Sequence, residues 1–299
     1  IWLNEGFATY LSGLVVENLD GQNSFVNWKN SLINNITSQT GGYLYLQDND
    51  LNSVNRIFSS RLSYNKGAMV LHMLRWKLGD THFFQALNNY LNDPNLAFGY
   101  AVTNDLKFHL EQVSGQDLTA FFSDWVYNQG YPRYTLNAQY GNQQVQVQIN
   151  QTQSHPSVSF FALPVPVRFL GPSGEVFDTV LEHTVNQQIF TVEVPFAPTD
   201  IVFDPQRHLI SRNNNATLGI DTLSIQEAIV LHPNPANHFI LLTLPETLVL
   251  NEVILYNSVG QEVSVHSTTT IDVEGLSTGT YLIEIHSQKG TFHKKFVKN

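Results

Sequence analysis

The sequence predicts a multidomain α and β protein: a helical segment followed by two antiparallel β-sandwich domains. Three observations carry this. Apolar residues recur at helical spacing up to about residue 130. From Tyr134 the pattern switches to alternation, and the Asn-rich stretch Ser211–Thr217 separates that region from a second alternating module.

In the first helix Leu3, Phe7, Tyr10, Leu11 and Leu14 share one face. Gly41–Ser60 lacks periodicity and reads as a loop with short turns. Gly67–Leu78 is apolar nearly all round, the mark of a buried helix. Asp80 or Thr81 is placed to cap a helix running through Leu91, which stops before Pro94; Thr103 starts another, and Leu118–Val126 a further one.

Alternation follows at Val145, Val147 and Ile149, at Val165, Val167 and Phe169, and at Phe190, Val192 and Val194. Gly171-Pro172-Ser173-Gly174 is a hairpin turn signal. The second module carries strands at Phe239–Leu244, Glu252–Tyr256, Thr270–Val273 and Tyr281–His286. These changes divide the chain into residues 1–132, 133–212, a linker at 213–227, and 228–299.

Hydrophobic residues make up 42% of the chain and charged residues only 13%, a globular composition whose surface relies on Asn, Gln, Ser and Thr. A formal net charge of −10 argues against nucleic acid or an anionic membrane as partner. With no cysteine, disulfides and thiolate metal sites are excluded. No apolar run approaches the roughly 18 residues that span a bilayer. The chain opens inside a helix pattern without Met, so the natural protein is expected to continue upstream.

Glu5, in Trp2-Leu3-Asn4-Glu5-Gly6-Phe7-Ala8-Thr9-Tyr10, lies two residues from Leu3, about 200° around a helix, and so points away from the Leu3/Phe7 stripe. Ala8, Thr9 and Ser12 on its face are small and would let a second helix come close. Alone, such a Glu is most simply a solvated first-turn residue favoured by the helix dipole. Tyr64 lies in Ser63-Tyr64-Asn65-Lys66-Gly67-Ala68, at the start of the apolar helix. Phe121 to Pro132, FFSDWVYNQGYP, closes the helical segment, with Phe121, Phe122 and Trp125 as core and Gly130 and Pro132 shaping the exit turn.

Together these three segments resemble the aminopeptidase N family of zinc metallopeptidases, the gluzincins. The resemblance implies that residues 1–132 are the C-terminal helical lobe of a thermolysin-like catalytic domain, cut inside its metal-binding motif. It makes Glu5 the third zinc ligand, with two His ligands and a Glu base on an H-E-x-x-H helix before residue 1. It assigns Tyr64 to the catalytic machinery, donating a hydrogen bond to the oxyanion formed when water attacks the peptide carbonyl. The implied cofactor is zinc and the implied substrates are peptides, shortened from their N-termini. Lacking H-E-x-x-H, residues 1–299 alone are expected to be inactive. The 11 histidines contain no His-x-x-x-His pair that would signal a second zinc site; His72 and His109 read as packed or exposed residues.

Residues 228–299 resemble the type IX secretion sorting domains of Bacteroidota. The matching segments are His232-Pro233-Asn234-Pro235-Ala236, Asn257-Ser258-Val259-Gly260-Gln261, Leu276 to Leu282 and the basic end Lys294–Lys298. The implied partner is the type IX machinery, and the implied location is the cell surface or the medium, reached through the periplasm. The alternative, from another functional class, is an exported binding or adhesion protein on a degenerate peptidase scaffold.

Overall fold

The computed structural model describes residues 1–141, 143–220, 226–245 and 248–299. They form two compact units, the first built from Ile1–Ala138, Gln146–Val192 and Pro198–Leu218, the second from Gln139–Val145, Glu193–Ala197 and Gly219–Asn299.

The first unit holds the helices α1 (Trp2–Asp20), α2 (Gln22–Ile36), α3 (Val54–Ile57), α4 (Gly67–Leu78), α5 (Asp80–Asn92), α6 (Thr103–Ser114) and α7 (Thr119–Phe122). As the composition requires, α4 is the central one: Ala68 through Met73 are each no more than 2% exposed. Residues Gly41–Ser60 hold only a 3-10 turn (Asp48–Asn52) and α3. The segment read as one helix over Leu118–Val126 is instead α7 followed by a π-helical turn, Ser123–Tyr127. Asp80 opens α5 without capping it, because its carboxylate takes a bidentate hydrogen bond from Arg75 at 2.8 and 2.9 Å.

On α1 the buried face differs from the expected one. Trp2, Gly6, Tyr10 and Gly13 are buried, whereas Leu11 is 57% exposed. The reason is backbone proximity: a Cβ on Gly6 would lie 3.0 Å from the Gly67 Cα, and one on Gly13 2.5 Å from the Trp28 ring. Neighbouring helices therefore seat on the glycine side, where an apolar-residue count registers nothing. Ala8 and Ser12, expected to face a second helix, are exposed.

The strands that follow are β1 (Pro132–Gly141), β2 (Gln144–Gln153), β3 (Leu163–Leu170), β4 (Val176–His183), β5 (Gln188–Glu193), β6 (Asp200–Phe203) and β7 (Asn215–Ile220). They form two sheets, ordered β5-β2-β1-β7 and β4-β3-β6. Val165, Val167 and Phe169 of β3 are buried, and Gly171–Gly174 turns β3 into β4, with Gly174 at φ 90°. Tyr134 of β1 meets Phe203 of β6, ring centroids 4.9 Å apart, so the two sheets face one another.

Residue 132 marks a change of secondary structure inside the first unit. Trp125 packs against Phe161 at 4.6 Å, Trp76 Nε1 donates to Pro164 O, and Tyr131 Oη donates to Thr37 O. Within the expected linker 213–227, Asn215–Ile220 forms β7 beside β1, entered where Asn214 Oδ1 accepts from Tyr134 N; residues 221–225 lie outside the described residues. A polar stretch can still be a strand when a neighbour offers a free edge.

The second unit contains β8 (Val230–His232), β9 (Phe239–Thr243), β10 (Leu250–Tyr256), β11 (Glu262–His266), β12 (Thr270–Asp272), β13 (Gly279–Ser287) and β14 (Gly290–Lys298), in sheets ordered β11-β10-β13-β14 and β12-β9-β8. Ile240, Leu242, Leu255, Ile271, Ile283 and Phe292 form a shared core. Each motif of the sequence acquires a job here. Asn257 Oδ1 accepts from Val259 N and Gln261 N, closing a turn that Gly260 completes at φ 80°. Tyr281 stacks on Phe296 and donates to Ser277 O. The basic end forms β14, and Asn234 grips it: its Oδ1 accepts from Val297 N at 2.9 Å and its Nδ2 donates to Lys295 O at 3.3 Å.

Candidate active site

Glu5 lies in the first turn of α1, half-buried, its Oε1 accepting weakly from Asn4 Nδ2 at 3.4 Å. Helix α1 brings it to α4 through the Gly6–Gly67 crossing, where a Cβ on Gly67 would fall 2.9 Å from the Gly6 Cα. Only a glycine pair lets two helix backbones come this close.

Tyr64 precedes that crossing by three positions, in a π-helical segment, Ser60–Lys66, that runs directly into α4. The segment is pinned at both ends. Ser59 Oγ accepts from Leu62 N, Ser63 Oγ donates to Ile57 O at 2.7 Å, and Lys66 Nζ donates to Gly42 O at 2.9 Å. Lys66 is 2% exposed, and burial, reinforced by Arg61 and Arg56, lowers its ammonium to a pKa of about 7. Wide π turns recur at functional sites because they re-aim side chains relative to a regular helix.

The consequence is that Tyr64 and Glu5 interact. Desolvation, then the negative charge of the Glu5 carboxylate, raises the Tyr64 phenol above its usual pKa. The phenol therefore remains a proton donor across the physiological range. Residues 59 positions apart in sequence thus form one carboxylate–phenol pair. Neither Gly6 nor the π geometry was singled out in the sequence, although both stand inside the quoted motifs.

Among the described residues no group of three or more His, Asp or Glu side chains is arranged to hold a metal ion. His109 pairs with Asp93 at 3.0 Å, and His72 is buried against Lys29 and His208.

Comparison with known proteins finds relatives for both ends of the chain. Residues 1–125 match the Peptidase family M1 domain, and residues 230–299 match the secretion system C-terminal sorting domain. Aminopeptidase M1-C of Oryza sativa subsp. japonica is 34% identical over 136 residues, covering 44% of this chain and 15% of that protein. Tricorn protease-interacting factor F2 of Thermoplasma acidophilum is 32% identical over 143 residues, covering 44% of this chain and 17% of that protein. A leucyl aminopeptidase of Saccharolobus solfataricus is 28% identical over 137 residues, covering 44% and 17%. The chain thus spans 15% to 17% of the length of these relatives. Residues 1–125 are thus similar to the Peptidase family M1 domain and, in the same chain, residues 230–299 are similar to the secretion system C-terminal sorting domain.

Proposed function

We propose that the protein is a zinc-dependent aminopeptidase that hydrolyses N-terminal residues from peptides, and that the type IX secretion machinery exports it through residues 228–299 to the cell surface or medium. The observation that carries the catalytic reading is the Gly6–Gly67 helix crossing, which brings the turn bearing Glu5 to the segment bearing Tyr64 within residues that match the Peptidase family M1 domain.

A catalytic zinc site takes three protein ligands and leaves one position open. Glu5 would supply one carboxylate oxygen; the two His ligands and the general base belong to a helix upstream of Ile1. Bound there, the zinc would lower the pKa of a water molecule and polarise the peptide carbonyl. The chain's own contribution is positional. Glu5 offers its carboxylate from the first turn of α1, and Tyr64 keeps its proton and donates a hydrogen bond to the carbonyl oxygen as negative charge develops there.

The export reading rests on the sorting-domain match and on a β14 locked by Asn234. Among the described residues no helix is long and apolar enough to cross a membrane.

The test is the metal content of the full-length protein carrying Glu5→Gln. Loss of zinc together with peptidase activity is expected. Full zinc occupancy with intact turnover would refute the assignment.

A further inference from the structure

Helices α2 and α4 carry a second cluster, beyond Glu5 and Tyr64. The turn after β6 returns to them at His208. Asp204, 1% exposed, shapes it: its carboxylate accepts from His208 N at 2.8 Å and Leu209 N at 2.9 Å. The turn presents the His208 imidazole flat against Trp76, centroids 3.9 Å apart, and parallel to His72 at 5.2 Å.

The nitrogens allow one arrangement. His72 Nε2 lies 3.3 Å from Lys29 Nζ and 3.0 Å from His208 Nδ1. An ammonium only donates, so His72 Nε2 must present its lone pair. His72 then carries its proton on Nδ1, 3.5 Å from Tyr10 Oη, and His208 Nδ1 faces the same lone pair as a second donor. Lys29 is 0% exposed and sits 4.4 Å above the Phe25 ring. A proton on His72 would remove the acceptor and set two cations face to face without water; one on His208 adds a cation beside Lys29.

We infer that Lys29, His72 and His208 form an acid-sensitive latch that holds the Asp204–Ile210 turn against α4 while both imidazoles are neutral and releases it when they protonate.

The surrounding charges do not absorb the added protons. From α4, Arg75 is engaged by Glu17 of α1 at 2.6 Å and by Asp80 of α5 at 2.8 Å. Arg207 adds a further cation on the turn, and Asp204 is already committed to two backbone N–H groups. Burial, then Lys29, depresses both imidazoles, His208 to about 3 and His72 well below 6.5. Their contribution to stability is complete above the ordinary histidine pKa of about 6.5 and is lost as pH falls from there towards about 3. Lys29, lowered to about 8 by burial, is an ammonium throughout that window. Asp204 acts oppositely on the unit as a whole: burial raises it to about 6, so proton uptake below that favours the folded form. Because Asp204 lies in the turn, that uptake opposes opening, and the loss of protection is read net of it. A cavity of about 240 Å³ bordering Lys29, His72, Trp76 and His208 gives the released imidazole room to hydrate.

The test is hydrogen–deuterium exchange of the 1–299 chain at pH 7.5 and 5.0, corrected for intrinsic rates. The 204–210 segment should lose protection at least about tenfold at pH 5.0, one pKa unit's worth of free energy. His208→Gln, which keeps a donor but cannot titrate, should abolish most of that change. Should that variant fold poorly, ¹³C-labelled histidine in the unmodified chain decides: His208 in the closed turn should stay neutral at pH 5.0 and protonate only as pH falls towards about 3. Equal protection at both pH values, the same opening in His208→Gln, or protonation of His208 with the turn still closed would each overturn the latch.

Discussion

Gly6 and Gly67 meet backbone to backbone, and a Cβ on either would lie within 3.0 Å of the other's main chain. No flexible side chain stands between them to yield. Gly6→Ala should therefore destabilise the first unit by about 1–3 kcal/mol, the usual cost of overpacking. Gly275→Ala, where an added Cβ meets nothing within 4 Å, should stay within about 0.5 kcal/mol. Thermal and urea melts of the chain check both. Wild-type stability in Gly6→Ala would mean that the helices part freely and that the Glu5–Tyr64 pair is not held by this crossing.

Tyr64→Phe in the full-length enzyme should lower kcat by about 10²–10³-fold, the scale of losing one oxyanion donor. Zinc content should not change, because the role proposed for the phenol is that of a hydrogen-bond donor and not of a ligand. Steady-state kinetics alongside metal analysis separate the two roles. Unchanged kcat would return Tyr64 to a packing residue beside Glu5.

Asn234 extends the backbone bridge that Ala236 makes to Lys298 of β14, offering both an acceptor and a donor to its edge. The residue is exposed, so water replaces part of what is lost, and Asn234→Ala should cost about 0.5–1.5 kcal/mol. The loss should concentrate at the chain end: amide exchange at Val297 should quicken more than at Ile283 in the core. Uniform exchange across the two residues would contradict the clamp.

Deleting residues 228–299 from the full-length protein should leave peptidase activity nearly intact and retain the enzyme in the periplasm. The same residues fused to a periplasmic reporter should carry it to the surface or medium. Fractionation with immunoblotting checks both arms. Export of the deleted protein would reduce the module to an accessory β-sandwich.

Much of this protein was determined by local order along the chain. The periodicity change at Tyr134, the turn at Gly171–Gly174 and the buried α4 depend on residues within one or two turns of each other, which sequence pattern reports directly. Glu5 and Tyr64 could be named because their motifs are contiguous. Tertiary structure alone decided the rest. The seating face of α1 follows from two glycines whose significance is the absence of a side chain, and apolar periodicity counts only what is present. Strand β7 exists because β1 offers an edge to a polar stretch with no strand pattern of its own. Lys29, His72 and His208 carry no mutual spacing signal, since their encounter requires the β6 turn to fold back onto α4. Their chemistry belongs to burial and to a shared lone pair, and neither exists until the chain has packed.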